Sequence, residues 1–430
     1  MQRILFISAP FGPFFRHIAS TLAEHGHSVW RIVWDGGDLL ETPFRHQVSF
    51  RGDAPEEETF LRNVLRRKHI TTVITYNDTG RRNQLAANIA RELGIKRLVL
   101  ENGYLRPHWV TFDREGVNGY SNLPKDPGFY HSNGGTKPET VTFPVRMRDH
   151  VINTMKHFAA SIALSPFIPF DASYYGDSLR RQARHYAREY FWRITHSEKR
   201  KIAKLRARTR GKDFVVLMQK PGDAQLRVHS HYHKNRPFLT EVCKSFAAHA
   251  PADAMLVVKQ HPYDYGVERL PRFLRDLSEE LGIEDRVCYL RKTSIDMALD
   301  HSDGVITVNS TGGLTAVVRG QPVICCGNAI YNMPGLTFQD GLDRFWTEAT
   351  PPSREIVDAF VSYLVAHSQI NGGFHHPVGI ELTAKALLRV ISENSLAPHE
   401  VRCKVACGSE QDAIDVLPAA VWRPCNPPMP

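Results

Sequence analysis

The sequence predicts an α/β protein made of two Rossmann-like, parallel-sheet units. Short apolar runs alternate with amphipathic helical stretches over about residues 3–100 and again over 213–326. Glycine stands just past several of the helical stretches, where a left-handed residue ends a helix cheaply. No stretch reaches the roughly 20 apolar residues of a membrane-spanning helix. Strand–helix alternation of this kind builds parallel, doubly wound sheets.

The elements follow in order. Arg3–Ala9 is an apolar strand, followed by the loop Pro10–Pro13. Phe14–His25 has helical periodicity and stops at Gly26. Ser28–Trp34 and Ile70–Tyr76 are strands, Arg81–Leu93 is a helix stopped by Gly94, and Lys96–Leu100 is a strand. Residues 115–150, rich in Gly, Asn, Pro and Ser, predict a long functional loop. Residues 177–212 are helical in composition. The alternation restarts with strand Phe214–Gln219, helix Asn235–Ala248, strand Ala254–Gln260, helix Leu270–Leu281 and strand Val287–Leu290. Thr293 or Ser294 caps a short helix. Strand Gly304–Val308, helix Gly313–Arg319 and strand Pro322–Cys326 complete the second unit, and helices near 354–367 and 380–393 follow.

The chain therefore divides into a Rossmann-like unit (1–150), a basic helical insert (151–212), a second Rossmann-like unit (213–345), C-terminal helices (346–400) and a loose tail (401–430). Two such units facing a cleft are the GT-B-like arrangement of nucleotide-sugar transferases. There the first unit would take the acceptor and the second the donor. Ligands of such sheets sit outside the carboxyl ends of the strands.

Charge narrows the partners. Lys plus Arg exceeds Asp plus Glu by 54 − 45 = 9 over 430 residues. Between Arg180 and Lys212 there are thirteen Lys/Arg against only Glu189 and Glu198. With Tyr186, Tyr190, Phe191 and Trp192 among them, this stretch suits either a solvated linker or a surface on anionic lipid headgroups. Nucleic acid is disfavoured, because no helix-turn-helix, RRM or zinc-finger pattern is present. The seven cysteines are scattered, and Cys403 and Cys407 lack a second pair for zinc. A reduced, cytoplasmic compartment is expected. The N-terminal apolar run lacks a small-residue cleavage site and continues into a strand–turn–helix pattern.

Five strand-end motifs carry candidate chemistry. Lys259, His261 and Pro262 in KQHP follow an apolar strand, where the His ring could serve a phosphate oxygen or a local loop bond. VNSTGG places Ser310, Thr311 and Gly312 at a helix start, an anion site or a plain N-cap. QKPGDAQLRVHS carries Asp223 with Gln225, Arg227 and His229 at alternating positions around it, Asp223 either facing the cleft or capping a turn. LENGYLRP carries Glu101, a base or hydroxyl ligand, and Arg106, a partner for carboxylate or phosphate. Arg16 in the N-terminal loop–helix region and Asp38 in WDGGD complete the set, Gly36 and Gly37 there allowing close approach of a ligand.

Taken in order, ENGYLRPHWVTF, KQHPYDYG, VNSTGGLTAVVRGQPV and GNAIYNMPGL resemble the bacterial capsule polysaccharide biosynthesis/export family of KpsS, LipB and KpsC type. The resemblance spans roughly Arg3 to residue 340. It implies a retaining transferase of β-linked Kdo from its cytidine monophosphate conjugate, CMP-Kdo. The implied acceptor is a lysophosphatidylglycerol-type phospholipid. It implies a cytoplasmic protein peripheral to the anionic inner face of the inner membrane, alongside capsule assembly and export proteins. No cofactor or metal is expected, because a monophosphate leaving group needs little charge neutralisation. Asp223 is assigned as nucleophile and Glu101 as base, an assignment that could be reversed. His261, Lys259, Pro262, Ser310, Thr311, Gly312 and Gln225 are assigned to the donor. Arg16, Arg106, Arg227 and Asp38 are assigned to the substrate carboxylate or acceptor. The family's usual Glu-Glu-Gly-Tyr is Glu101-Asn102-Gly103-Tyr104 here. Two other readings stay open: a UDP-sugar-dependent transferase or epimerase, and a non-catalytic component binding lipid-linked polysaccharide.

Overall fold

The structure is a computed structural model. It describes residues 1–134, 139–168, 211–264, 266–300 and 302–393, with shorter stretches between 184 and 207. Residues 177–183, several positions between 186 and 210, and all of the 401–430 tail lie outside the described residues.

The first half begins with β1 (Arg3–Phe6), α1 (Phe14–Glu24), β2 (Ser28–Val33), α2 (Gly36–Glu41) and β3 (Gln47–Ser49). It continues through α3 (Glu57–Arg67), β4 (Thr72–Tyr76), α4 (Arg81–Glu92), β5 (Lys96–Asn102), β6 (Trp109–Asp113), α5 (Pro127–Asn133) and α6 (Met147–Ala163). After α7 (Lys199–Arg206), the second half runs β7 (Asp213–Leu217), α8 (Ala224–Arg227), α9 (Asn235–His249), β8 (Met255–Lys259), α10 (Leu270–Glu280) and β9 (Val287–Leu290). Then follow α11 (Ile295–Leu299), β10 (Gly304–Thr307), α12 (Thr311–Val318), β11 (Val323–Cys325), α13 (Leu342–Glu348), α14 (Arg354–His367), β12 (Gln369–Asn371) and α15 (Pro377–Ser392).

Two sheets result. The first has the order β12-β6-β5-β4-β1-β2-β3 and the second β11-β10-β7-β8-β9. The second is parallel throughout. The first is parallel from β5 to β3, while β6 pairs antiparallel with both β5 and β12. The fold is thus the expected α/β, GT-B-like pairing of two Rossmann-like sheets.

Strand alternation sends side chains to opposite faces. Ile4 and Phe6 pack with Phe15 and Leu387 of α1 and α15, whereas Leu5 and Ile7 pack with Leu61 and Ile89 of α3 and α4. In the second sheet Phe214 and Val216 meet Phe238 and Trp346, and Val215 and Leu217 meet Leu314 and Phe360. The latter cluster also takes in Val99, Trp109 and Tyr130 of the first half, so the halves share one core.

Three departures from the sequence reading matter. The 115–150 stretch is not a single loop: it holds α5 and the start of α6. WDGGD is not an open loop but the start of α2, capped by Asp35, whose carboxylate accepts from Asp38 N at 3.0 Å. The chain also returns to the first sheet at its end, where β12 adds to its edge and α15 packs on α1.

A cleft at the strand ends and its family

The carboxyl ends of the two sheets bring several motifs together. Glu101 ends β5, and its backbone neighbour Asn102 donates to Glu101 Oε1 at 2.9 Å. The Asn102 amide also donates to Glu101 Oε1 at 3.2 Å and to the Tyr76 hydroxyl at 3.1 Å. The turn is tight: a Cβ at Gly103 would stand 2.2 Å from the Trp109 carbonyl oxygen, so only glycine fits. Burial pushes the Glu101 carboxyl up to about 7, and the nearby Asp223 carboxylate adds to the rise. Arg106 opposes it and acts on Tyr76 and Tyr263 as well.

These effects place Glu101 and Arg106 of the first half within electrostatic reach of Asp223 and Tyr263 of the second. Asp223 opens α8, and its backbone carbonyl accepts from Leu226 and Arg227. Behind Glu101, burial raises Asp78 to about 6 while its carboxylate accepts from Val117 N at 2.7 Å. The turn Asn118–Tyr120 then crosses to the second half, where the Tyr120 ring meets His229 at 4.7 Å.

His261 follows β8, and its Nδ1 accepts from Tyr263 N at 3.1 Å. The Tyr263 hydroxyl reaches Met147 Sδ of α6 at 3.1 Å. His150, one turn along α6, contacts His375 at 3.1 Å and feels the Lys220 charge. At α12, Ser310 is the N-cap, its hydroxyl accepting from Gly312 N at 3.1 Å. Thr311 is the first residue of that helix, and a Cβ on Gly312 would meet Ile295 Cδ1 at 2.4 Å. Capping satisfies one of the four free N–H groups of a helix start and leaves others for an anion.

Other candidates sit elsewhere. Lys259 is buried at the end of β8, its ammonium donating to the Gln260 carbonyl at 3.1 Å, so it underpins the loop rather than opening into the cleft. Pro262 is exposed beside His261. Arg227 is exposed at the end of α8, and the side chain of Gln225 is outside the described residues. Arg16 lies on the exposed side of α1, with its guanidinium donating to the Leu40 carbonyl at 3.4 Å.

Asp38 departs from its expected substrate role. It is buried, pairs with Arg31 and accepts from Trp34 N at 3.1 Å. Arg31 also reaches Glu41 at 3.3 Å, and His157 of α6 lies 3.2 Å from Glu41 and 3.5 Å from Asp35. Ligand atoms of Asp35, Asp38 and His157 gather within 4.8 Å, as at a metal site. The Arg31 guanidinium and the His157 ring supply the positive charge there instead. Gly36 and Gly37 serve the approach of α6 rather than of a ligand. A Cβ on Gly36 would be 2.7 Å from the Ala160 carbonyl, and one on Gly37 would be 2.4 Å from His157 Nδ1.

Sequence reasoning missed Tyr76, Asp78, Lys220, Tyr263 and His150. The first four stand at strand ends beside residues it did select, a position that could have flagged them. His150 had no signal, because it stands just ahead of the helical insert expected at 151–212, in the stretch read as a loop.

The family model described as capsule polysaccharide biosynthesis protein matches residues 71–375, a span that contains β4 to β12 and with them Glu101, Asp223, His261 and Ser310. The chain belongs to the capsule polysaccharide biosynthesis protein family. The capsule polysaccharide modification protein LipB of Neisseria meningitidis is 31% identical over 396 residues, covering 88% of this chain and 92% of that protein. The capsule polysaccharide export protein KpsS of Escherichia coli is 28% identical over 389 residues, covering 87% and 97%. Among solved structures, the β-Kdo 2,7 transferase KpsC of Thermosulfurimonas dismutans is similar with a TM-score of 0.39 and 18% identity, over 84% of this chain and 89% of that one. No helix among the described residues is long and apolar enough to cross a membrane.

Proposed function

We propose that this member of the family is a retaining glycosyltransferase that moves Kdo from CMP-Kdo to a lysophosphatidylglycerol-type acceptor at an anionic membrane surface. The observation that carries the reading is the electrostatic pairing of Glu101 with Asp223 across the cleft, with Glu101 pushed up to about 7. A double displacement uses two neighbouring carboxyl groups, one as nucleophile and one that exchanges a proton near neutral pH.

In the first step Asp223 attacks the anomeric carbon of Kdo. A carbon–oxygen bond forms as the bond to the phosphate oxygen breaks, and cytidine monophosphate leaves with the electron pair. His261 and the free N–H groups at the start of α12 stabilise the departing phosphate. Esterification removes the negative charge of Asp223, so one of the influences raising Glu101 disappears. Glu101 then ionises more readily and takes the proton of the acceptor hydroxyl, whose oxygen displaces Asp223 with a second inversion. Asn102 takes the place of the family's second carboxylate and holds Glu101 and Tyr76 by hydrogen bonds, leaving Glu101 as the base. Arg106 pairs with the Kdo carboxylate. No step uses a metal.

The test is incubation of the full chain with CMP-Kdo and a synthetic lysophosphatidylglycerol. Kdo-lipid product is expected from the wild type, with near-complete loss in a folded His261→Ala variant. Absence of product from the wild type, or wild-type turnover by His261→Ala, contradicts the reading. Thermal shift by UDP-sugars but not cytidine nucleotides would favour a UDP-sugar enzyme instead.

A further inference from the structure

Helix α6 carries its polarity inside out. At 100° per residue, Val151, Met155, Ala159 and Ile162 fall on one side, with Ile152 and Ala163 next to them. That side is the exposed one: Met155 is 67% and Ile162 55% accessible. The opposite side is polar and turned inward: His157 and Ser161 are buried in the Asp35–Glu41 network, and His150 and Asn153 contact His375. A surface helix of a globular protein has the reverse pattern.

Further apolar side chains are exposed on the chain next to α6. Helix α2 packs against α6, and at its end stand Leu40 and, just beyond, Phe44, which is 90% accessible. Phe167, three residues past the end of the α6 turn at Leu164, is 76% accessible. A helix side of exposed apolar residues is uncommon on a monomer and marks an interaction face. Its border is basic. Arg16, Arg45, Arg146, Arg148 and Lys156 are exposed on or beside these elements, with the Asp149 carboxylate 3.6 Å from Arg148. Two copies docked through this face would oppose like charges, whereas anionic headgroups complement them.

We infer that the outer face of α6, with Leu40, Phe44 and Phe167, is the surface by which the protein lies on an anionic phospholipid bilayer. The apolar side chains enter the headgroup–acyl boundary while the arginines and lysine meet phosphates. The same helix borders the cleft through Met147 and His150, so docking brings the bilayer surface to the mouth of the proposed site. That last consequence rests on the lipid-acceptor reading, but the docking itself does not. The basic helix α7 is not required: Ile202 and Leu205 pack inward, Lys201 donates to the Tyr289 carbonyl, and Trp192 ahead of it lies beneath Arg291 at 3.9 Å.

The test is co-sedimentation of the full chain with vesicles of phosphatidylglycerol and phosphatidylcholine, or of phosphatidylcholine alone, without donor. Wild type should bind the anionic vesicles and lose binding at high salt. The double variant Met155→Glu/Ile162→Glu should bind at least about tenfold more weakly, with unchanged circular dichroism and unchanged transfer to a short-chain soluble acceptor. Undiminished vesicle binding by the double variant overturns the proposal. So does a wild type that ignores anionic vesicles, or a wild-type dimer that the double variant converts to monomer. Failure of transfer with intact vesicle binding would count against the enzymatic reading alone.

Discussion

Glu101 shows how one carboxyl is set for work near neutral pH. Its position at the end of β5 shields it partly from water, Asn102 fixes it with two donors, and Asp223 adds a like charge. Burial disfavours the charged form, so the folded-state pKa of about 7 lies above the ordinary carboxylate value of 4.5. The folded protein therefore holds this proton more tightly than the unfolded chain does. The resulting stability is complete below the unfolded value and is lost as pH rises through about 7. Glu101→Gln removes the ionisation while keeping the shape. Its melting temperature is expected to match wild type near pH 4 and to exceed it at pH 8, with transfer abolished at both. A variant less stable than wild type at pH 8 would show that the carboxylate is not strained by burial.

At the scale of elements, the Arg31–Asp38–Glu41–His157–Asp35 network ties β2, α2 and α6 into one unit. Hydrogen bonds to Asp35 and Glu41 outweigh burial and hold His157 up at about 9. Its contribution is thus complete below the ordinary 6.5 and fades as pH climbs through about 9. Removing one member of a buried charge group strands the others. Arg31→Met is expected to cost about 3–5 kcal/mol in chemical denaturation, far more than loss of an exposed pair. A cost below about 1 kcal/mol, typical of exposed ion pairs, would contradict the network's role. This network also marks where sequence reading stopped. Strands β1, β2 and β7 to β10 and helices α1, α4, α9 and α10 were legible, because their apolar period is local and glycines end several of them. The role of WDGGD was not. Its glycines have the composition of a ligand loop, and only the approach of α6, more than 100 residues later, shows what they accommodate. The helical insert expected at 151–212 covers most of α6, but which side of α6 faces inward was hidden, because its apolar side faces out and its polar side faces in. The three-residue strand β12 is too short for any periodicity, and it is defined by pairing with β6 across more than 250 residues.

For the whole molecule, two sheets sharing a core place the loops after β4, β5, β7, β8 and β10 around one cleft. Doubly wound sheets concentrate ligand groups at those ends, so Glu101, Asp223, His261 and Ser310 could be chosen from sequence as strand-end residues. Their mutual arrangement could not, since it depends on how the two halves face each other. The +9 charge is densest in the 180–212 stretch, with further cations on and beside α6 and groups such as Arg106 and Lys220 at the cleft. The central claim is that Asp223 becomes covalently attached to the sugar, and the most direct measurement is intact-protein mass spectrometry after mixing with CMP-Kdo and no acceptor. The account predicts an adduct of one Kdo mass on the wild type, discharged by lysophosphatidylglycerol and absent from Asp223→Ala. An adduct that persists in Asp223→Ala, or a wild type that transfers Kdo to lipid without ever carrying it, would contradict the account.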